Sequence, residues 1–358
     1  MPPKPVNAVR SLRETALASV TGHDVARAAG VSQSTVSRAF RNDARLSQTK
    51  RAHVLEVAKT LGYTPSHLGR SLVTRLTRTV GMAVTDLENP FYPHVVAPLH
   101  DALAGLGYRM VLFMERLEGA ESDQQALDRL LDRSTDGIVL TTTLLGSGIP
   151  RELARRGLPF VFLVRVTDDV GGDCAVVDNA LGASLMAAEI LRHGHRRVGA
   201  IFGPADTSTG RDRERGLRAG IGVADVELPD ELVRRGPYGV GTGDQGMERL
   251  MDLPMPPTAI FCGNDTIAIG ALNAARRRGI EVPGDVSLVG FDDLPMAGWD
   301  VFQLTTVNQP MEEMARTAAQ LLVDRVEGRS EIGQVRRAVF EPRVVMRSTL
   351  GPPPKRRV

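Results

Sequence analysis

A short run of amide, hydroxyl and guanidinium side chains near the N-terminus has the chemistry needed to read the edges of DNA base pairs. Val36 and Phe40 stand at i and i+4 and mark the inner, apolar face of a helix. The side chains left on the outer face are Gln33, Ser34, Ser37, Arg38 and Arg41. Groups of these types donate and accept hydrogen bonds in the major groove. The pattern therefore favours a DNA-recognition helix.

The residues before this helix carry the signals of a tight turn between two short helices. Thr21 and Asp24 are spaced as a capping box, with Asp where Glu or Gln is usual. Gly30 can take the positive φ that ends a first helix, and Ser32 is a natural N-cap for the second. A helical hairpin with no role in DNA binding is the alternative. The turn, both caps and the polar face in one run favour DNA binding over that alternative.

The same run closely resembles the headpiece of LacI/GalR-type bacterial transcriptional regulators. The matching residues are Asp24-Val25-Ala26, Ala29-Gly30-Val31-Ser32 and Thr35-Val36-Ser37-Arg38. Further landmarks follow in the order of that family, namely Leu61-Gly62-Tyr63-Thr64-Pro65, Asn89-Pro90-Phe91-Tyr92, Gly263-Asn264-Asp265 and Val289-Gly290-Phe291-Asp292-Asp293. The resemblance covers about residues 21 to 348. It implies a repressor that binds a palindromic operator as a dimer and responds to a small-molecule effector, with a sugar or sugar acid favoured.

The resemblance also assigns roles at the DNA-binding end of the chain. The candidate DNA contacts are Ser32, Gln33, Ser34, Thr35, Ser37, Arg38 and Leu72. Leu72 belongs to a leucine stripe, with Leu68 and Leu76, in a linker that spans 66–77. In related regulators this linker becomes a hinge helix on DNA and a leucine wedges into the minor groove, whereas packing of Leu72 against the core is the alternative. Gly69 stands where the family usually has Ala, and Gly disfavours a helix by about 1 kcal/mol.

The charge of the chain is uneven in a way that fits a polyanion-binding end. The 358 residues carry a formal net charge of +2. Residues 1–78 hold 13 Lys/Arg and 4 Asp/Glu, a net charge of +9, and the remaining 280 residues hold 31 and 38, a net charge of −7. A solvated basic helix does not explain why the excess is confined to the segment with the two-helix motif. A basic headpiece on an acidic body is expected of a nucleic-acid binder with a separate regulatory domain.

From Thr79 onwards, short apolar runs alternate with helical patterns. The predicted strands are 80–84, 109–113, 137–140, 160–163, 198–201, 259–262 and 287–290. This alternation predicts parallel sheets covered by helices, with ligands at the carboxyl ends of the strands. The resemblance divides the region into two similar lobes with crossovers near residues 178, 307 and 341. The expected fold is an N-terminal all-α helix-turn-helix headpiece followed by an α/β two-lobed, periplasmic-binding-protein-like effector domain.

Side chains suited to a sugar-like ligand are spread over the body of the chain. The candidate effector-binding residues are Phe91, Arg165, Arg213, Tyr238, Asn264 and Asp292. The resemblance implies effector contacts for the last four, and guanidinium, amide, carboxylate and aromatic groups suit such a ligand. Arg213 as a salt-bridged helix residue and Asp292 as a cap are the structural alternatives. Val164 stands where relatives commonly have Asp or Asn, and losing that acceptor beside Arg165 tilts the expectation towards an anionic or less hydroxyl-rich effector.

Two patterns that could indicate a cofactor or a metal are weak. Gly241-Thr242-Gly243-Asp244-Gln245-Gly246 fits G-x-G-x-x-G, but the segment before it is no hydrophobic strand. A loop that opens a helix is expected there, and a dinucleotide site is not. His193 and His195 lie where an exposed basic turn is usual, with no carboxylate adjacent. The sequence therefore predicts no cofactor and no metal.

Acidic pairs and cysteines give little support to catalysis. Asp168-Asp169 and Asp292-Asp293 are expected to be caps or hydrogen-bond acceptors rather than an acid/base couple. Cys174 and Cys262 lie far apart and are expected to be buried free thiols. No G-x-S-x-G or HExxH motif occurs. The sequence therefore predicts that the protein is not an enzyme. A sugar-converting enzyme, the remaining alternative, would need a set of catalytic side chains, and the sequence shows none.

The expected domain organisation follows from these patterns. The parts are a disordered extension at 1–19, the helix-turn-helix domain at 20–65, the hinge at 66–77, the effector-binding and dimerisation domain at 78–349, and a basic tail at 350–358. No run of about 18 apolar residues and no secretory apolar core occur, so a cytoplasmic, nucleoid-associated protein is expected. A homodimer is expected, with a tetramer as the alternative. The competing function is a periplasmic-type solute-binding protein, which the basic headpiece and the missing signal segment disfavour.

Overall fold

The computed structural model describes residues 20–40, 43–63, 76–114, 128, 130–131, 134–331 and 333–355. The chain divides into two compact units, residues 1–77 and 78–358. The described part of the first unit is helical, and the second unit combines strands and helices. The extension expected at 1–19, Arg41 and the hinge positions Gly69 and Leu72 lie outside the described residues.

Local sequence signals set the helix ends in the first unit. Its described helices are α1 (Gly22–Ala28), α2 (Gln33–Phe40) and α3 (Gln48–Thr60). Thr21 caps α1 in a capping box with Asp24, as predicted. Gly30 has a φ of 64° where the chain turns towards α2, a conformation that glycine adopts without strain. The oxygen of Ser32 accepts a hydrogen bond from the backbone N of Thr35, 3.3 Å away, and so caps α2.

A small apolar core holds the three helices together. Val25, Val36 and Val54 supply one buried side chain from each helix. Leu61, predicted on the apolar face of the third helix, is instead exposed. It is the C-cap of α3, so the chain has left the helix before this side chain can pack inward.

Half of the twelve described strands of the second unit belong to a six-stranded parallel sheet. Its members are β1 (Thr79–Val84), β2 (Arg109–Met114), β3 (Gly137–Leu140), β4 (Phe160–Leu163), β5 (Asp173–Val177) and β11 (Arg337–Phe340). Their order across the sheet is β11-β5-β4-β3-β1-β2. The four central strands are buried along their whole length, as expected when both faces of a parallel sheet are covered. The edge strand β2 is only partly buried.

A second parallel sheet forms the other lobe. Its strands are β6 (Val198–Phe202), β7 (Val233–Arg235), β8 (Ala259–Cys262) and β9 (Ser287–Val289), in the order β7-β6-β8-β9. A separate antiparallel pair consists of β10 (Thr306–Asn308) and β12 (Arg343–Val345). The chain leaves the first sheet after β5, returns to it through β10, and leaves it again after β11. These passages match the predicted crossovers near 178, 307 and 341, and the two-lobed α/β fold is confirmed.

Glycines allow helices of the second unit to approach closely. The helices are α4 (Phe91–Gly105), α5 (Ile149–Arg155), α6 (Asn179–Arg192), α7 (Ser208–Gly222), α8 (Val240–Met251), α9 (Asp265–Arg277) and α10 (Met311–Val326). A Cβ on Gly243 of α8 would lie 1.8 Å from the carbonyl oxygen of Ile267 in α9. The G-x-G-x-x-G run therefore lies inside a helix rather than in the loop expected from the sequence. Its central glycine serves helix packing.

One strand was not predicted and one further expectation is wrong, because the local pattern lacked the decisive information. The segment before the glycine run is no hydrophobic strand, as predicted, but its first two residues belong to β7, a partly exposed strand that pairs in parallel with β6 at the edge of the second sheet. An edge strand can be polar because one side faces solvent. Leu350 and Gly351, expected in the basic tail, are buried. The carbonyl oxygen of Gly351 accepts a hydrogen bond from the ring of His195, at 2.8 Å from Nε2, so the tail begins as packed structure.

Candidate functional site

The predicted recognition helix α2 presents a polar outer face. Gln33, Ser34 and Arg38 are exposed, together with the capping residue Ser32. Ser37, expected on the outside, is half-buried. A helix only eight residues long packs on α1 and α3 over a wide arc, and the flanks of its outer face are thereby partly covered.

Hydroxyl groups at the start of α2 are connected to each other. The Ser32 Oγ lies 2.8 Å from the Ser34 Oγ and 2.9 Å from the Thr35 Oγ1. Thr35 itself is half-buried. At the other end of α2, the rings of Phe40 and Tyr63 meet edge-on with centroids 5.7 Å apart. The helix is thus capped at its start and packed against Tyr63 at its end, and its exposed face can present Gln33 and Arg38 to a groove.

A cleft in the second unit brings together every residue predicted to contact an effector. Its lining includes the six predicted residues Phe91, Arg165, Arg213, Tyr238, Asn264 and Asp292. Arg165, Asn264 and Asp292 follow the carboxyl ends of β4, β8 and β9, where parallel sheets bind ligands. The remaining lining residues are Asn89, Tyr92, Val164 and Thr209. The cavity has a volume of about 30 Å³.

Arg213 is the most constrained of these side chains. It projects from α7 and is 2% exposed. Its Nε donates to Asn179 Oδ1 at 2.8 Å, its Nη1 to the carbonyl oxygen of Gly263 at 2.6 Å, and its Nη2 to Asp292 Oδ1 at 2.9 Å. The guanidinium carbon also lies 3.7 Å from the ring centroid of Phe291. Arg213 is therefore salt-bridged, as the structural alternative predicts, and it also lines the cleft.

Two carboxyl groups in this region are buried: Asp292 lines the cavity, whereas Asp265, whose backbone N donates to the carbonyl oxygen of Phe291, does not. Asp292 accepts hydrogen bonds from Arg213 and, at 2.7 Å, from Gln309 Nε2. Burial raises the pKa of Asp292, and the charge of Arg213 opposes that rise. Asp265 accepts from the backbone N of Leu294 at 2.8 Å and has no basic partner among the described residues. Burial, and next the charge of Asp292, raise the pKa of Asp265 well above its usual value.

The other predicted residues present a mixed polar and aromatic wall. The hydroxyl of Tyr238 lies 3.1 Å from Thr209 Oγ1, and Asn89 Nδ2 donates to its carbonyl oxygen at 2.8 Å. Asn264 Oδ1 accepts from the backbone N of Ile267 at 2.9 Å and caps α9. The amide group that remains for a ligand is therefore the Nδ2 donor.

The loop after β4 carries an unusual backbone conformation. Val164 is 3% exposed and has a φ of 74°. A β-branched residue is strained in this region, whereas Asn and Asp tolerate it better. The strain lies directly before Arg165, and strained backbone concentrates at ligand sites.

Several residues that line the cleft or hold its lining in place are not predicted from the sequence. Asn179 and Gln309 hold Arg213 and Asp292 from positions just beyond β5 and β10. The rule that ligand sites follow strand ends would have indicated both residues, had those strands been predicted. Asn89 lay within the family landmark that opens the domain, whereas no sequence signal pointed to Thr209.

The patterns set aside in the sequence have structural roles. His195 was expected in an exposed turn but is fully buried, and its Nδ1 lies 2.9 Å from Thr258 Oγ1. Asp168 and Asp169 are paired with Arg211 and Arg151. Among the described residues, no group of three or more His, Cys, Asp or Glu side chains could hold a metal ion. No described helix has the length and apolar character needed to cross a bilayer.

Family models and relatives agree with this architecture. The model of bacterial regulatory proteins of the lacI family matches residues 21–66, and that of a periplasmic binding protein-like domain matches residues 187–350. The HTH-type transcriptional repressor CytR of Escherichia coli is 32% identical over 314 residues, which cover 87% of this chain and 91% of CytR. The ribose operon repressor of the same organism is 33% identical over 312 residues, which cover 86% and 93%. The chain belongs to the LacI family.

Solved structures of transcriptional regulators share the fold over most of the chain. The lac repressor dimer bound to operator and the anti-inducer ONPF has a TM-score of 0.82 and 25% identity, and the match covers 92% of this chain and 99% of that one. A complex of the transcriptional regulator CelR with cellobiose has a TM-score of 0.71 and 30% identity, with the same coverage. The two E. coli relatives are repressors rather than enzymes.

Proposed function

We propose that this LacI-family protein is a transcriptional repressor that binds a palindromic operator as a homodimer and is controlled by a small-molecule effector. The observation that carries the proposal is the exposed polar face of α2, with Gln33, Ser34 and Arg38, on a basic headpiece. Side chains of these types discriminate base pairs in the major groove, and the basic charge supplies affinity for phosphate. Ser32, Thr35 and Ser37 complete the proposed contact surface on α2, and Leu72 is proposed as the minor-groove wedge.

The effector is proposed to bind in the cleft around Arg213. Phe91, Arg165, Tyr238, Asn264 and Asp292 line the same cavity. Its volume of about 30 Å³ is far below the ~300 Å³ or more of a small-molecule site. Binding of a sugar or sugar acid therefore requires the cleft walls to move apart. A ligand that binds only the wider state shifts the protein towards that state, which is the physical basis of effector control.

The edge of the six-stranded sheet supports assembly into dimers. Val111 and Met114 of β2 are 43% and 52% exposed, and among the described strands β2 pairs on one side only. An apolar edge strand of this kind favours association with another chain. A second copy would cover it, as expected for a protein that binds two operator half-sites.

Selection of DNA from a random duplex library by the full chain tests the proposal. Enrichment of an inverted repeat is expected, because a dimer presents two copies of α2 related by twofold symmetry. A thermal-shift screen of sugars and sugar acids, followed by operator titration with each hit, would then identify the effector. Failure to enrich any sequence would instead favour a solute-binding protein without a transcriptional role, and turnover of a sugar would indicate an enzyme.

A further inference from the structure

The side chains that line the cleft carry more positive than negative charge. The charged ones are Arg165, Arg213 and Asp292. Arg213 and Asp292 form a buried ion pair at 2.9 Å, with both side chains 3% exposed. Arg165 has no ion pair and no hydrogen bond of its side chain within the described parts of the chain. Its guanidinium carbon lies 5.3 Å from the ring centroid of Tyr238. The cleft therefore contains one positive charge that none of the described acidic groups neutralises.

The acidic residues that follow Arg165 in sequence are bound elsewhere. Asp168 pairs with Arg211. Asp169 pairs with Arg151, with 3.4 Å between the charged atoms. At the next position towards the N-terminus stands the apolar Val164, buried and held at positive φ. The loop thus presents a guanidinium to the cleft and directs its carboxylates to other partners.

The neighbouring polar groups add hydrogen-bond donors. Asn264 uses its Oδ1 to cap α9, which leaves its Nδ2 as the group for a ligand. Arg213 uses three of its five N–H groups on Asn179, Gly263 and Asp292. The oxygen Oδ1 of Asp292 already accepts from both Arg213 and Gln309. A ligand rich in acceptors is therefore better matched to this lining than one rich in donors.

We propose that the effector carries an anionic group, a carboxylate or a phosphate ester, and that this group pairs with Arg165. The inference rests on the proposed role of the cleft as the effector site. A guanidinium presents a planar fork of donors that matches either anion with two parallel hydrogen bonds. The ring of Tyr238 beneath Arg165 limits the directions the guanidinium can take and supplies an apolar wall beside the anion.

Ligands that share a sugar but differ in charge, tested on the full chain, distinguish recognition of the charge from recognition of the sugar. Glucose, gluconate and glucose 6-phosphate form one set, and ribose, ribonate and ribose 5-phosphate form the other, each titrated by calorimetry at low and high salt. In at least one set we expect a charged member to bind about tenfold or more tightly than its neutral parent, with an advantage that shrinks in salt. The carboxylate and phosphate arms show which anion fits.

Variants at Arg165 identify the residue that reads the charge. Arg165→Gln should abolish the preference for the charged ligand, and Arg165→Lys should keep part of it because the positive charge remains. Arg215→Gln is the matched control, since it removes a guanidinium from the helix of Arg213 at an exposed position that does not line the cleft and does not contact the loop of Arg165. Thermal denaturation of each variant checks that it folds.

Three results would overturn the inference. They are equal binding of a neutral sugar and its charged derivatives, a preference that survives Arg165→Gln, and no binding by any charged member of either set. None of them contradicts the repressor proposal, because selection of an inverted repeat by the full chain tests that separately. A neutral sugar that releases the operator would leave the proposed function intact and the anionic effector refuted.

Discussion

The proposed recognition helix and the proposed effector cleft hold their polar side chains in opposite ways. Gln33, Ser34 and Arg38 of α2 are exposed. Arg213 in the cleft is 2% exposed and donates to three fixed acceptors. The donors of α2 are hydrated in the free protein, and a DNA groove would have to replace that water. In the cleft, protein acceptors already take the place of water around the guanidinium of Arg213.

This difference determines what each region can tolerate. An exposed side chain contributes little to folding, so the exposed face of α2 can change without loss of structure. A buried charge must stay paired, because its desolvation is repaid only by good partners. Substitutions on α2 should therefore alter specificity, whereas substitutions around Arg213 should alter stability and ligand response together.

The largest effect is expected from Arg213→Ala. The substitution leaves Asp292 buried without its cation and Asn179 without its donor, which costs about 3–5 kcal/mol of unfolding free energy. Chemical denaturation of the full chain measures this loss. Arg211→Ala is the matched control, two residues away in the same helix, and its partly exposed ion pairs predict a cost of about 1 kcal/mol or less. Equal stability of the two variants would contradict the contrast between α2 and the cleft, because the buried cleft would then tolerate substitution as well as the exposed face of α2.

Exchanging Gln33 and Ser34 should change operator preference without changing stability. A good amide or hydroxyl pair with a base discriminates by about 1–3 kcal/mol, so the selected consensus should shift at the contacted positions. Selection from a random library, run in parallel with thermal denaturation, measures both quantities. Glu56→Gln, on the exposed surface of α3, should leave the consensus unchanged. An unchanged consensus for the exchanged variant would remove Gln33 and Ser34 from the reading surface.

The headpiece could be predicted from sequence because its signals are local. The capping box, Gly30 and Ser32 each act within four residues of the helix end that they define. The exposed face of α2 then follows from the helical period alone. Leu61 was placed wrongly because the same periodicity was extended one residue beyond the end of α3.

The second unit could be predicted only in part because its decisive contacts are distant in sequence. Most of the apolar strands are predicted from the sequence, but β5 is not, because it begins with the charged residue Asp173. The carboxylate of Asp173 is held by Arg325 and Arg336, which lie 152 and 163 residues further along the chain. Family resemblance and strand ends indicated the cleft residues. The network that joins Arg213 to Asn179 and Asp292 spans 34 and 79 residues and has no local pattern.

The pH dependence of stability should expose the second buried carboxyl group. Burial and the charge of Asp292 raise the pKa of Asp265 above its ordinary 3.8, so the folded protein binds this proton more tightly than the unfolded chain. The resulting stability is complete below the ordinary pKa and is lost as pH rises towards the folded value. Asp265→Asn removes that dependence and keeps a neutral side chain of similar shape.

Denaturation of wild type and Asp265→Asn at about pH 5 and about pH 8 measures this effect. The stability of the variant relative to wild type should rise with pH. Asp300→Asn, an exposed acid of the same lobe, is the control and should follow wild type more closely. If the unfolding free energies of wild type and Asp265→Asn changed with pH in parallel, the pKa of Asp265 would not differ between the folded and unfolded states, and the prediction would be wrong.

The smallest effect is expected at the first turn of the headpiece. Thr21 Oγ1 accepts from the backbone N of Asp24 at 3.4 Å, and Asp24 Oδ2 accepts from the backbone N of Thr21 at 3.0 Å. Thr21→Ala removes the first bond and should cost about 1 kcal/mol, whereas Thr21→Ser keeps the hydroxyl and should cost less.

A loss of that size leaves nearly all molecules folded when the total stability is about 5 kcal/mol or more. Operator affinity should therefore stay close to that of wild type, while hydrogen exchange of the α1 amides should become faster. A large loss of operator affinity in Thr21→Ala would mean that the cap positions α2 for DNA as firmly as Asp292 positions Arg213. The contrast between an exposed reading surface and a buried, pre-paired cleft would then fail at the headpiece.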